Sequence, residues 1–297
     1  MPGTRAFAAG RFSFQLDGLD CGFVQAVSGG AVTADVVTAP AQASGFAEKH
    51  LGPVRYEEIA LQLDLSCDAR VYDWIAASLT RKFLRKDGSI VATDAAGKAV
   101  SEQAFTHGLV TEVTVPALDG ASKEACYLTL KVAPETTQLK KGSGKVKPIA
   151  VKKKQQWLAS NFKLEIDGLE TKRVSRVDAL TVKISAARDA AGELRRPARE
   201  PTSVEFPNLR VAFAQADAKT WSSWFDDFVV KGNNDSSKER GGKLTFLAAD
   251  GKTRLGALAF FNLGVFRLAP EPRPAGAETV ARLVADLYCE RMELTVP

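Results

Sequence analysis

The side chains able to do chemistry are few in this chain of 297 residues, and they are far apart. There are two histidines, His50 and His107. Neither has a Cys, His or carboxylate at the spacing that a metal site uses. His50 falls in a stretch rich in Gly, Ala, Thr and Pro, and His107 sits beside Gly108. The run Gly142-Ser-Gly-Lys145 suggests a phosphate loop. However, Leu139 stands where the first glycine belongs and Val146 where a Ser or Thr would hold magnesium. Asp17 and Asp167 recur in both halves as a pair of carboxylates would, yet each precedes a glycine and so builds a turn. Trp74 and Trp224 could stack on a ligand, but their helical spacing among apolar residues points to anchors between helix and sheet. The four cysteines, Cys21, Cys67, Cys126 and Cys289, are scattered as reduced core thiols would be. No nucleophile, base and orienting group assemble. The expectation is a protein without catalytic, cofactor-binding or metal-ligating residues, without a cofactor, and not an enzyme.

The elements that carry these residues come twice. Arg11-Phe-Ser-Phe-Gln-Leu-Asp-Gly-Leu19 returns as Asn161-Phe-Lys-Leu-Glu-Ile-Asp-Gly-Leu169. Apolar residues alternate with polar ones in both copies, and Asp-Gly closes each, which describes a half-buried strand ending in a turn. The same offset places Val24 and Val27 on Val174 and Val177, Tyr56 on Phe206, Leu61 on Val211, Leu63 on Phe213 and Trp74 on Trp224. Further on it drifts, with Ala104-Phe105 opposite Ala259-Phe260 and His107 near Asn262. A repeat this long is a duplicated domain rather than a solenoid unit. The division expected is 1–138 for the first domain, 139–158 for a lysine-rich linker and 159–297 for the second, with room for two cores.

Each copy reads as mainly β with one helix. Asp68 should cap a helix whose face is Val71, Trp74, Ile75 and Leu79. Asp217 should cap another with Trp221, Trp224, Phe225, Phe228 and Val229 on one face. Asp87-Gly88 and Asp94 to Gly97 should bracket a short strand, Ile90 to Thr93, and the helix is expected after the third or fourth strand. Two long excursions, Ser28 to Val54 and Ser185 to Ser203, lack a core period; the first reads as a loose hairpin.

The net charge of +5 conceals an uneven distribution. Residues 1–138 sum to −4 and 159–297 to +2, while 139–158 carry seven lysines and no acid. That segment reads either as a solvated flexible tether or as a basic one that rests on an acidic neighbour or on nucleic acid. No apolar run approaches the roughly 20 residues that span a bilayer, and the first residues lack a signal-peptide pattern, so the expectation is folding in the cytoplasm with no membrane partner.

The order of these weak motifs carries a resemblance. A strand ending in Asp17-Gly-Leu19 is followed by Leu51-Gly-Pro-Val-Arg-Tyr56, the alternating strand Ile59 to Leu65 and the helix with Tyr72-Asp-Trp-Ile75. Lys86-Asp-Gly-Ser-Ile-Val91, Phe105 to Pro116 and Tyr127-Leu-Thr-Leu-Lys-Val-Ala-Pro-Glu135 complete the series. It resembles the tail tube proteins of contractile phages and of phage-tail-like contractile injection systems, over nearly all of residues 10–135. The second copy keeps Phe162 to Leu169, Trp224, the Leu244 to Gly251 hairpin and the last strand, but lacks the Leu-Gly-Pro-Val-Arg-Tyr run.

The resemblance implies two tandem β-sandwich or barrel domains, each with an outer helix, and a structural role. Six such domains close a ring around a channel, and long loops reach the next ring. Partners would then be other copies of the chain, adjacent tube rings, sheath, spike or hub and baseplate proteins, with cargo protein or nucleic acid in the channel. Two domains per chain imply three chains per ring, with pseudo-six-fold symmetry, either in the tube or as a tube-end adaptor within a virion or injection particle. The rival is a six-chain ring with the second domain outside or above the first. A reading from a different class is a stand-alone two-domain β protein that binds a carbohydrate or protein ligand through its loops.

Overall fold

A computed structural model describes residues 10–40, 46–146, 156–189, 198–272 and 280–297. The first half is a barrel. β1 (Arg11–Leu16) and β2 (Leu19–Gly29) form a hairpin over Asp17 and Gly18, whose φ values of 50° and 75° suit the Asp-Gly pair. β2 pairs with β5 (Ile59–Leu63), β5 with β9 (Leu128–Ala133), and β9 with the second half of β7 (Ala99–Val115). The first half of β7 pairs with β6 (Lys86–Thr93), and β6 returns to β1. The path β1-β2-β5-β9-β7-β6 therefore closes, and closure leaves no free edge between its members. β10 (Thr136–Lys141) continues β9 along β7, so Lys140 and Lys141 stand in a strand and not in a flexible connection. Residues 147–155 of the expected tether lie outside the described residues.

Asp87-Gly88 proves to be inside β6 and not a turn before it. A Cβ at Gly88 would collide with the Phe105 ring, so glycine here lets a buried aromatic cross the strand. The excursion Ser28 to Val54 contains a two-stranded hairpin, β3 (Val32–Ala39) and β4 (Glu48–Tyr56), separate from the barrel sheet. With these two strands added, α1 (Ala69–Leu79) comes after the fifth strand, later than expected. Asp68 caps it by accepting from Arg70 N at 3.0 Å, and Val71, Trp74, Ile75 and Leu79 are all buried.

The second half repeats the plan with one gap. β11 (Trp157–Ile166), β16 (Arg240–Ala248), β17 (Arg254–Pro270), β18 (Arg282–Thr295), β15 (Leu209–Ala214) and β12 (Val174–Val177) pair in that order. β11 and β12 do not pair with each other as β1 and β2 do. Residues 170–173 leave the sheet: Trp221 Nε1 donates to Glu170 O, and Arg173 is held by Asp217. Asp217 stands at the N-cap position of α2 (Ala218–Phe225), but its side chain makes no capping bond. A 3₁₀ turn precedes α2 and rotates the carboxylate toward Arg173, 2.8 Å from its Nη1. The helix then widens into a π-turn, Asp226–Val230, which changes the phase of the face. Trp221, Trp224 and Phe228 stay buried, while Val229 turns out to solvent at 40% exposure.

Buried apolar residues from both halves form one continuous cluster, from Phe14 and Trp74 to Phe246 and Met292, where two cores had been expected. Trp74 sits in it at 1% exposure with its Nε1 donating to Leu84 O. We predict that Trp74→Ala costs about 3–5 kcal/mol, the range for emptying a buried aromatic site. Denaturant unfolding of wild type should also be one transition by fluorescence and circular dichroism together. Two separated transitions would contradict a shared core.

Candidate functional site

The residues with chemical potential do not converge. His50 lies exposed in β4 beside Glu48, 3.7 Å away. His107 bends β7 with φ 48°, and its Nδ1 lies 3.0 Å from Glu135 Oε2. Gly142 to Lys145 follow β10 and pair back onto 97–100, through Gly142 N to Val100 O and Ala99 N to Gly144 O. Asp17 pairs with Lys86, and Asp167 offers its carbonyl to Arg240. Among the described residues, no three His, Cys, Asp or Glu side chains are grouped so as to hold a metal. Burial pushes the Cys21 and Cys126 thiols up to about 11 and raises that of Cys289, which makes all three poor nucleophiles.

The joint between the two halves is instead the most heavily built feature. β13 (Leu180–Asp189) and β14 (Ala198–Glu205) form the hairpin of the second excursion. β13 does not join its own barrel: it pairs with the second half of β7, Leu180 opposite Val115, Thr181 opposite Thr114, Val182 opposite Val113 and Lys183 opposite Glu112. The Thr114 and Thr181 hydroxyls meet at 3.0 Å. Leu180, Val182 and Ile184 are each at most 4% exposed there. Farther out, Arg85 reaches Glu200 of β14 at 2.7 Å. The sheet of the first half thus runs on into the second through a strand edge, the mode by which separate proteins share a sheet.

A second contact runs the other way. β8 (Leu118–Asp119) pairs with β12, and Gly120 N donates to Ser175 O at 2.8 Å. The same loop then reaches β11, where Cys126 N donates to Trp157 O and Ala159 N to Glu124 O, both at 2.9 Å. It fills the gap that β11 and β12 leave, with Leu118 fully buried. A third contact sets α1 of the first half against β18 of the second. Sequence reasoning missed all three. Periodicity says which face of a strand is buried and not which edge is shared, and a two-residue strand leaves no period.

Substituting Val182→Asp puts a charge into this joint. It should cost on the order of 3 kcal/mol and speed amide exchange at Val113 to Val115 far more than in β1 or β6. Equal acceleration throughout would mean that the joint is not a separable contact. Separately, iodoacetamide at pH 8 should modify Cys21, Cys126 and Cys289 only when the protein is unfolded; rapid native labelling of any of them would contradict the raised thiols.

No curated protein matches the chain. Among solved structures, a chain of the PVC sheath–tube complex of an extracellular contractile injection system is 18% identical, covering 46% of this chain and 92% of that one with a TM-score of 0.41. A chain of the anti-feeding prophage cap, the AFP tube terminating cap, is 18% identical over 48% of this chain and 95% of that one, TM-score 0.41. A chain of the PVC sheath/tube terminator is 18% identical over 46% and 98%, TM-score 0.41. Residues 8–138 match the family model of the T4-like virus tail tube protein gp19. The matched residues take in the first barrel with its helix and hairpin, less than half of the chain.

Proposed function

We propose that this chain is a structural component of the inner tube, or a tube-end adaptor, of a contractile phage tail or phage-tail-like injection system. Three copies form a ring of six β domains, and sheath, baseplate, spike or further tube rings pack against it. One observation carries the reading. The β13–β14 hairpin of the second half extends the barrel sheet of the first, so two tube-like domains already stand side by side through a shared edge. This lateral arrangement favours three chains over a six-chain ring in which the second half would lie above or outside the first.

The distal parts of the two hairpins, including residues 36–48 and Ser185 to Ser203, would reach the neighbouring rings. Cargo would pass through the channel, and assembly would start from chains folded in the cytoplasm. Native mass spectrometry should give particles of three times 31.9 kDa, and image averages should show pseudo-six-fold rings. A mass of six chains, or a monomer at all concentrations, would overturn the trimer. Deleting residues 36–48 should leave a folded protein whose rings no longer stack.

A further inference from the structure

The joint inside the chain has one acceptor and one donor, and the duplication supplies a second set that is unused. We infer that chains join head to tail by repeating the joint, with the β3–β4 hairpin of one copy adding to the free edge of β17 in another. This seam specifies the ring proposed above and rests on it.

The donor is the β3–β4 hairpin. It matches β13–β14 pair for pair at the 150-residue offset: Thr33 lies opposite Arg55 as Lys183 lies opposite Glu205, and Ala34 opposite Val54 as Ile184 opposite Val204. The docked hairpin buries Val182 to 4% exposure, whereas its counterpart Val32 stands at 56%. Val36, Val37 and Leu51 are also more than half exposed. A two-stranded ribbon with apolar side chains in water is marginal by itself, so it needs a surface to lie on.

The acceptor is β17. His107 in β7 and Asn262 in β17 share the left-handed conformation, φ 48° and 57°, and fix the alignment of the two strands. Beyond His107, β7 has β9 on one side and β13 on the other. Beyond Leu263, where β16 leaves it, β17 has β18 on one side, and among the described residues no strand on the other. Transferring the pairing puts Val32 opposite Leu268 and Thr33 opposite Arg267 of the second copy. Phe266, beside them, is 46% exposed. An open edge next to apolar surface invites strand addition.

The third contact of the joint repeats as well. α1 lies against β18, and the counterpart of β18 is β9 with β10. β10 exposes Leu139 at 76%, together with Lys140 and Lys141. The helical segment that would meet it, after α2, exposes Val229 and Val230 and carries Asp226 and Asp227. Apolar surface thus faces apolar surface and base faces acid. A contact between unlike surfaces propagates from copy to copy and ends only when the ring closes.

The test pairs Val32→Cys with Leu268→Cys in the full-length chain, oxidised at concentrations where native mass spectrometry is run. The double variant should yield disulfide-linked species of two and three chains on denaturing gels, and each single variant only the background of the native thiols. As a second variant, Val32→Asp should fold as wild type does, since the side chain is exposed, and raise the dissociation constant of the ring at least tenfold. Rings of three that neither cross-link nor weaken would overturn the seam and leave the ring. Absence of any ring would overturn the ring itself, and the seam with it.

Discussion

Beyond His107 the outer edge of β7 presents backbone N–H and C=O groups that no strand of its own half can reach. β6 stops pairing at Gly108, because the left-handed residue at 107 turns β7 away from it. Unsatisfied groups on a sheet edge are a hazard, since any passing strand can pair with them. This chain meets the requirement with a strand from its other half. The remaining features of the joint follow: with β13 fixed on β7, α1 comes against β18, and the loop after β7 is carried to β11 and β12. One bend in one strand thus sets how the two halves face each other.

Much of the architecture is written in local pattern. The alternation in Arg11 to Leu16 and Trp157 to Ile166 is that of strands with one buried face, and Val71, Trp74, Ile75 and Leu79 do form the buried stripe of a helix. The offset between the copies also carries through to matching registers in the two hairpins. Where local rules fail, a nonlocal partner has won. Asp217 looks like a cap but is claimed by Arg173, 44 residues earlier. Val229 looks like part of a face until the π-turn shifts it outward. Asp87-Gly88 looks like a turn but gives Phe105 room to cross. The joint is harder to read, because edge pairing uses backbone groups that every residue shares.

Many of the reactive and charged side chains are engaged within the fold. Three of its four thiols are buried. Charged groups cluster in exposed or half-exposed pairs, such as Arg176 with Asp178 and Glu271, and Arg291 with Glu293. Such pairs add little stability each but keep outer faces hydrated. The apolar residues that remain exposed are concentrated on the first hairpin, β10 and the end of the second helix.

The loop from Leu118 to Cys126 also constrains the order of events during synthesis. The second barrel lacks the β11–β12 pairing that would close it, and the missing rung comes from residues made earlier, in the first half. A ribosome therefore releases the plug before the vessel it seals. The strands of the first barrel can pair in the meantime, though its core is complete only with the second half. The second reaches completion only by condensing onto that template, across long sequence separations that make folding slow. The duplicated chain thereby delivers its two domains already matched, one to one, where separate genes would have to balance their output.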